Sequence, residues 1–533
     1  MNRLFLLAYC TIAMMAVPLF ATNHMDLLTT MSGEFGGAAL GRSMCSIDFN
    51  GDGIDDLVAV EANWNPTGSY NGSSSVGRIS FYWGGPDIDN ASDFSISGTY
   101  VGQYCYRIVN AGDINNDGIE DLCYWGSEQS QEKICIFYGR QNPVATPDVT
   151  LSFPHDSVAW FGSLFPLGDV NNDNHADIGY VTTNTDYQTA NINVLNGATL
   201  TSTLLSTIFW PGTAGASING IGDVNNDGVD DFHRTNTIVE DDNTHSRLTL
   251  YYGGSSFPYC DSLLISPDTN SLIAPQSCPL GDVNGDGIDD FASFINSNGA
   301  RVWFGSDLLT AQWDFVIPLI FTQSDGYNLI HGDLNNDGYE DIIGTNYRYD
   351  LDDGIAYVWL GGHNPNGTVD LTIPHSIGVT EQFGWAKAAG DFNNDGFCDV
   401  AISQPYAPSG PLTTPGRIFI YLGNAQLADT TVAVEDETVP SIAQSQWEIN
   451  IHPNPLPTGS KRLCIEFSGE GYEQLCTKTI SLYNLKGQRV FQTQDSSRGD
   501  TSSISLPELP SGVYIIKVSA DGHRHSSKRI VVY

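Results

Sequence analysis

Apolar residues in this chain come in short runs bounded by glycine, asparagine or aspartate, and the 3.6-residue period of an amphipathic helix is almost absent. Two kinds of run recur. The first follows directly on an aspartate, as in DLVAV from Asp56, DFASF from Asp290, DIIGT from Asp341 and DVAIS from Asp399. The second ends near glycine and alternates apolar with polar residues. Its copies are RISFYWGG from Arg78, KICIFYG from Lys133, RLTLYYGG from Arg247, RVWFG from Arg301, AYVWLGG from Ala356 and RIFIYLG from Arg417. A period of two predicts strands with one face buried. NINVLNG from Asn191 is the divergent copy.

The punctuation repeats more strictly than the strands. DFNGDGIDD from Asp48, DINNDGIED from Asp113, DVNNDNHAD from Asp169, DVNNDGVDD from Asp223, DVNGDGIDD from Asp282, DLNNDGYED from Asp333 and DFNNDGFCD from Asp391 align as D-x-N-x-D-G-x-x-D. Their starts lie 65, 56, 54, 59, 51 and 58 residues apart, so one structural unit occurs seven times. Single Asp-Gly or Asn-Gly pairs usually mark no more than solvated turns. Seven copies that keep aspartate at positions 1 and 9 ask for a further reason.

Side-chain oxygens at positions 1, 3 and 5, a backbone carbonyl at 7 and a carboxylate at 9 suit a hard cation that takes six to eight oxygen ligands, which describes calcium better than magnesium. The expected ligands of the first two loops are Asp48, Asn50, Asp52, Ile54, Asp56 and Asp113, Asn115, Asp117, Ile119, Asp121. In the third and fourth they are Asp169, Asn171, Asp173, His175, Asp177 and Asp223, Asn225, Asp227, Val229, Asp231. The last three loops supply Asp282, Asn284, Asp286, Ile288, Asp290, then Asp333, Asn335, Asp337, Tyr339, Asp341, and finally Asp391, Asn393, Asp395, Phe397, Asp399. Up to seven structural calcium ions are expected. Position 7 contributes only its backbone carbonyl. The third site is the weakest expectation, with Asn174 in place of glycine and His175 at position 7, although asparagine tolerates a left-handed backbone. A closing acid at position 9 followed at once by a strand speaks against the helix-flanked calcium loop, whose acid stands at position 12.

Ahead of some loops stand Phe35-Gly36, Phe161-Gly162 and Phe383-Gly384. Together with the calcium-type loops, these pairs make residues 32–425 resemble the FG-GAP repeats of integrin α subunits and of many bacterial secreted proteins. The resemblance implies an all-β fold, a seven-bladed β-propeller with one four-stranded blade per repeat. A closed ring leaves few free strand edges, so a monomer is expected. It also implies that ligand is engaged on the face away from the calcium loops.

The formal net charge is -40, from 62 acidic and 22 basic residues, which excludes nucleic acid and anionic membrane as natural partners. Seven calcium ions would offset about 14 of those charges. Residues 1–21 combine Arg3 with an apolar run and the small Ala21 and read as a secretory signal peptide. Nine cysteines follow it. Cys123 with Cys135, Cys260 with Cys278 and Cys464 with Cys476 are candidate disulfides, the alternative being buried free thiols.

Residues 426–447 are acidic and rich in threonine and serine, and read as a linker. Beyond them, 448–533 have the turn and alternation pattern of a small antiparallel β-sandwich. HPNP from His452, ISLYNLKGQRVFQ from Ile480, LPSGVYIIKV from Leu509 and the terminal KRIVVY from Lys528 resemble the C-terminal sorting domain of type IX secretion cargo. That resemblance implies the type IX secretion machinery as a partner, and a secreted or outer-membrane-surface location in a Gram-negative bacterium. Arg498-Gly499-Asp500 within this domain carries no adhesion argument by itself.

No HExxH, G-x-S-x-G, Walker or dinucleotide-binding motif occurs, and no catalytic residue or organic cofactor is assigned. Polar segments that differ between repeats, with Tyr70, Trp125, Tyr187, Tyr347 and Tyr349 among them, are where an extracellular glycan or protein ligand is expected to bind. A polysaccharide lyase or glycoside hydrolase on the same frame is the alternative.

Overall fold

The computed structural model describes residues 24–427 and 447–532. Excepted are the segments 69–74, 100–102, 104–106, 129–130, 154–159, 185–188, 210–217, 241–242, 256, 258–261, 266–275, 297–298, 308, 319–328, 348, 350–353, 375–381, 406–414, 453–461, 470–477, 485–488, 496–500, 508, 511 and 521–523. The expected signal peptide, most of the linker, Tyr70, Tyr187 and the Arg498-Gly499-Asp500 triplet lie outside the described residues. Two compact units divide the chain, one up to Thr431 and one from Val432.

The first unit consists of seven four-stranded antiparallel sheets. Strand β1 (Leu27–Ser32) is followed by the sheet β2 (Leu40–Ile47), β3 (Asp56–Glu61), β4 (Arg78–Tyr82) and β5 (Phe94–Ser97). Next come β6 (Ile108–Asn110), β7 (Leu122–Glu128), β8 (Gln131–Phe137) and β9 (Val149–Phe153), then β10 (Trp160–Gly168), β11 (Asp177–Thr183), β12 (Thr189–Leu195) and β13 (Ser202–Phe209). The fourth sheet holds β14 (Ile218–Gly222), β15 (Asp231–Glu240), β16 (Asn243–Tyr251) and β17 (Ser262–Ile265), and the fifth β18 (Gln276–Gly281), β19 (Asp290–Asn296), β20 (Gly299–Trp303) and β21 (Phe315–Pro318). The sixth is β22 (Leu329–Gly332), β23 (Asp341–Asn346), β24 (Ile355–Trp359) and β25 (Leu371–Pro374). In the last, β26 (Lys387–Gly390), β27 (Asp399–Gln404) and β28 (Arg417–Tyr421) take β1 as their fourth strand, with Thr30 opposite Phe419.

The first strands of successive sheets pack side by side in the order β2, β6, β10, β14, β18, β22, β26 and back to β2. This cyclic order, with β1 fastened to β28, closes a β-propeller. The sequence pattern had left β1 outside the repeat region, because its LLTTMS run carries no acidic loop.

The expectation of one buried face per strand is corrected by the packing. Second strands β3, β11, β23 and β27 and the third strand β24 are buried at every position, and β4 nearly so, because each sheet is covered on both faces by its neighbours. Alternation survives in the outer β9 and in β12. The Phe-Gly pair has a packing reason. Phe383 is fully buried against Phe419 and Tyr421, while Gly384 takes φ +96° and sits where a Cβ would come within 2.8 Å of that of Thr345.

The Cys123–Cys135 disulfide is not formed. Cys123 pairs across the sheet with Ile136 and Cys135 with Tyr124, an offset of one residue that sends the two thiols to opposite faces and into different cores. The other two candidate pairs involve Cys260 and Cys476, which lie outside the described residues.

In the second unit, β29 (Trp447–His452), β30 (Arg462–Gly469) and β33 (Thr501–Ser505) form one sheet. The other is built from β32 (Arg489–Asp495), β31 (Lys478–Asn484), β34 (Gly512–Ala520) and β35 (Arg524–Val532) in that spatial order. Leu463, Ile465, Ile480, Leu482, Ile516 and Ile530 share their common core. The expected hairpin is β31 on β32, and Tyr514 at the start of β34 donates its hydroxyl to the Pro510 carbonyl at 2.8 Å.

Candidate functional site

All seven acidic loops join a first strand to a second strand and fold alike. The position-1 carboxylate receives the backbone N–H groups of positions 5 and 6: Asp52 and Gly53 donate to Asp48 at 3.0 and 2.9 Å, and Asp337 and Gly338 to Asp333 at 3.1 and 2.9 Å. Position 5 receives the N–H of position 7, as from Ile54 to Asp52 at 3.0 Å. Bending the chain this tightly puts positions 4 and 6 in the left-handed region. Gly53, Gly118 and Gly338 take it at position 6, and Asn116, Asn226 and Asn336 at position 4. The divergent third loop obeys the same rule, with Asn172 at φ 60° and Asn174 at φ 65°, and Asp169 receives Asp173 and Asn174 at 3.0 and 2.7 Å.

Position 9 is a clasp. Asp56, Asp121, Asp177, Asp231, Asp290, Asp341 and Asp399 are all fully buried. Each receives the N–H of the glycine two residues beyond its own third strand, from Gly84, Gly139, Gly197, Gly253, Gly305, Gly361 and Gly423 at 2.7–3.0 Å. In five loops the second oxygen receives the position-2 N–H, as from Phe49 at 3.1 Å and Leu334 at 2.9 Å. Burial pushes these carboxyls up to about 7 in Asp56, Asp121, Asp177 and Asp399 and about 8 in Asp231, Asp290 and Asp341. The N–H donors pull the other way, and nearby loop carboxylates add to the rise.

Position 8, to which the sequence reading gave no role, links the loops into a ring. Glu120 of the second loop accepts the Asp48 N–H of the first at 2.9 Å, Asp230 that of Asp169 at 2.8 Å, and Asp289 that of Asp223 at 3.0 Å. Asp55 of the first loop accepts the Asp391 N–H of the seventh at 2.9 Å, across 336 residues of sequence. In the other three loops the backbone makes the link: Ala176, Glu340 and Cys398 donate their N–H groups to the carbonyls of Asp113, Asp282 and Asp333 at 3.0, 3.0 and 3.1 Å. His175 adds a bond from Nδ1 to the Ile114 carbonyl at 2.7 Å, so the residue that weakens the third loop as a ligand set ties it to the second. A run of acids at position 8 was the available sequence signal.

The donor set fits a hard cation. It is all oxygen, it carries three carboxylates per loop, and the Asn50 carbonyl oxygen at position 3 is buried with no hydrogen-bond partner. Among the described residues no three Asp, Glu, His or Cys side chains are gathered into a preassembled cage, the carboxylates of positions 1 and 5 being turned onto backbone N–H groups.

The opposite ends of the same strands do not repeat. Arg42 on β2 stacks 4.4 Å over Trp385, which lies 4.9 Å from Tyr347 at the end of β23. At the end of β3, Arg78 bridges Glu34 and Glu61 at 2.7 and 2.6 Å and lies 4.9 Å over Trp64, whose Nε1 donates to Glu34 at 2.8 Å. Of the aromatic candidates, Trp125 and Tyr347 are buried and serve packing, whereas Tyr349 is 47% exposed.

Comparison with known proteins follows these two ends and the second unit. Residues 383–421 match the FG-GAP repeat, and residues 450–533 match the secretion system C-terminal sorting domain. The chain is similar to human integrin alpha-6 (36% identical over 112 residues, 20% of this chain and 9% of the relative). It is also similar to chicken integrin alpha-V (28% over 189 residues, 33% and 17%) and to mouse phosphatidylinositol-glycan-specific phospholipase D (32% over 111 residues, 19% and 13%). The match thus spans less than a fifth of each relative's length. Among solved structures, an exotype rhamnogalacturonan lyase aligns over 74% of this chain and 75% of its own, with 12% identity and a TM-score of 0.39. A Bacillus licheniformis rhamnogalacturonan lyase aligns over 75% of each chain with 11% identity and a TM-score of 0.34. The chain is therefore a β-propeller whose residues 383–421 match the FG-GAP repeat, and its residues 450–533 match a secretion system C-terminal sorting domain, which marks a secreted or cell-surface protein of Bacteroidetes-type bacteria.

Proposed function

We propose that this is an extracellular binding module in which calcium held by the acidic loops stiffens the ring, while glycan or protein ligands engage the opposite end of the strands. The observation that carries the reading is the division of labour along each blade. At one end every loop has the same backbone and the same all-oxygen donor set. At the other, residues such as Arg42, Trp64, Tyr349 and Trp385 form a different surface on each blade. A repeated frame with differing loops is the usual arrangement for ligand recognition.

Calcium would be held by positions 1, 3, 5, 7 and 9 of each loop, where it supplies positive charge to carboxyls that burial otherwise drives toward the neutral form. The test is a glycan array with the purified secreted chain, with and without chelator, followed by product analysis of any glycan bound. Saturable binding without turnover supports the reading. Cleavage at catalytic rates assigns the frame to a polysaccharide lyase or hydrolase instead.

A further inference from the structure

At the acidic-loop end a cavity of about 800 Å³ opens between the fourth loop and the turn that follows β20 in the next blade. Backbone bonds fix both of its walls. Ser306 donates its N–H to the Val224 carbonyl of the fourth loop at 2.8 Å, and the Leu309 N–H closes the turn onto the Ser306 carbonyl at 3.0 Å. The same bond between blades recurs around the ring, from Arg140 to Phe49, from Gly254 to Val170 and from Gly362 to Val283. A side chain sets this turn apart. At the second residue after the glycine that meets the position-9 carboxylate, the other blades carry Pro86, Gln141, Thr199, Ser255, His363 and Ala425, whereas the fifth has an acid, Asp307.

The floor of the cavity is apolar. Tyr252 and Leu309 pack onto the core that holds Val224, Phe291 and Trp303, yet both stay only half-buried. Polar groups stand around this floor, Asn226 and Asp227 from one blade and Asp307 and Thr310 from the next. The walls meet where Asn226 Nδ2 donates to Asp307 Oδ1 at 3.5 Å, and Asn225 Nδ2 holds the Asp227 carboxylate at 3.0 Å. The Thr310 hydroxyl oxygen accepts the Gln312 N–H at 3.2 Å and keeps its own hydrogen for a further acceptor. Amides, carboxylates and a hydroxyl together present donors and acceptors, which suits ligand hydroxyls that do both better than an ammonium group that only donates. Two carboxylates at the rim, in a chain of net charge -40, disfavour an anion.

We propose that this cleft binds a neutral hexopyranose, with the apolar face of the sugar on Tyr252 and its hydroxyls on Asn226, Asp307 and Thr310. An aromatic platform ringed by a few polar groups is the usual build of a small-ligand site, and walls already held by backbone bonds need little ordering when the sugar enters. The cleft lies at the opposite end of the strands from the surface proposed above for glycan or protein ligands, so each is tested without the other.

The experiment is calorimetric titration of the full secreted chain in calcium-containing buffer. The methyl glycosides of glucose, galactose, mannose and N-acetylglucosamine are the probes, and sodium galacturonate is the anionic control. The expected result is saturable binding of one sugar per chain for at least one of the four, weakened about tenfold or more in Tyr252→Ala and in Asp307→Ala. Binding should be kept in Tyr252→Phe and absent for galacturonate. Hydrogen exchange gives a readout that needs no variant: the bound sugar should slow backbone exchange over residues 305–310 and leave residues 383–390 unchanged. The proposal is overturned if none of the four sugars saturates the wild-type chain, if either alanine variant binds as tightly as the wild type, or if galacturonate binds as tightly as the galactoside.

Discussion

The two ends of the propeller's strands use charge in opposite ways. At the acidic-loop end each buried position-9 carboxylate receives a backbone N–H from the glycine beyond its third strand, and the same bond recurs around the ring from Asp56 to Asp399. At the far end charge is met case by case, by an ion-pair network at Arg78, by stacking at Arg42 and Arg107 and by the Thr345 hydroxyl at Lys387. Uniform polar contacts repeated on every blade fix a scaffold, whereas varied ones give each blade its own surface.

The largest effect that would sharpen this contrast is loss of a clasp. Asp341→Ala strips two backbone donors of their acceptor in a fully buried site, and should destabilise the propeller by about 3 kcal/mol in chemical denaturation. At the other end the sign reverses. Lys387 falls from 10.5 to about 8 in the folded state, so its protonated form opposes folding. The penalty is present in full below pH 8 and disappears as pH rises from about 8 to 10.5. Lys387→Met should therefore raise stability at pH 7 by up to roughly 3 kcal/mol and abolish the rise in stability across that window. A destabilised Lys387→Met chain with an unchanged pH profile would break the comparison. Intermediate in size is Asp55→Ala, which removes the acceptor that joins the first loop to the seventh and should cost about 1–2 kcal/mol. Smallest is Tyr349→Ala, expected within about 0.5 kcal/mol of the parent in stability while changing ligand binding, because the ring is half exposed.

Much of the acidic-loop end was legible in the sequence, because a tight turn imposes residue types locally. Glycine or asparagine at positions 4 and 6 and aspartate at 1, 5 and 9 answer to backbone geometry within nine residues. The position-8 acids were visible but unreadable, since their partner is the next loop, more than fifty residues away. Strand β1 was missed for the same reason: its place is set by pairing with β28, at the far end of the propeller. The Cys123–Cys135 disulfide expected from sequence proximity failed on a one-residue register. In the C-terminal unit, by contrast, the hairpin β31–β32 and the strands β34 and β35 follow the alternation in sequence.

The central claim is that the seven repeated loops are metal-holding clasps of the ring. Metal content of the purified chain, read together with thermal unfolding before and after chelation, tests it most directly. Several calcium ions per chain, and a marked loss of thermal stability that added calcium restores, are predicted. Fewer than three ions per chain, or a melting temperature indifferent to chelator, would contradict it.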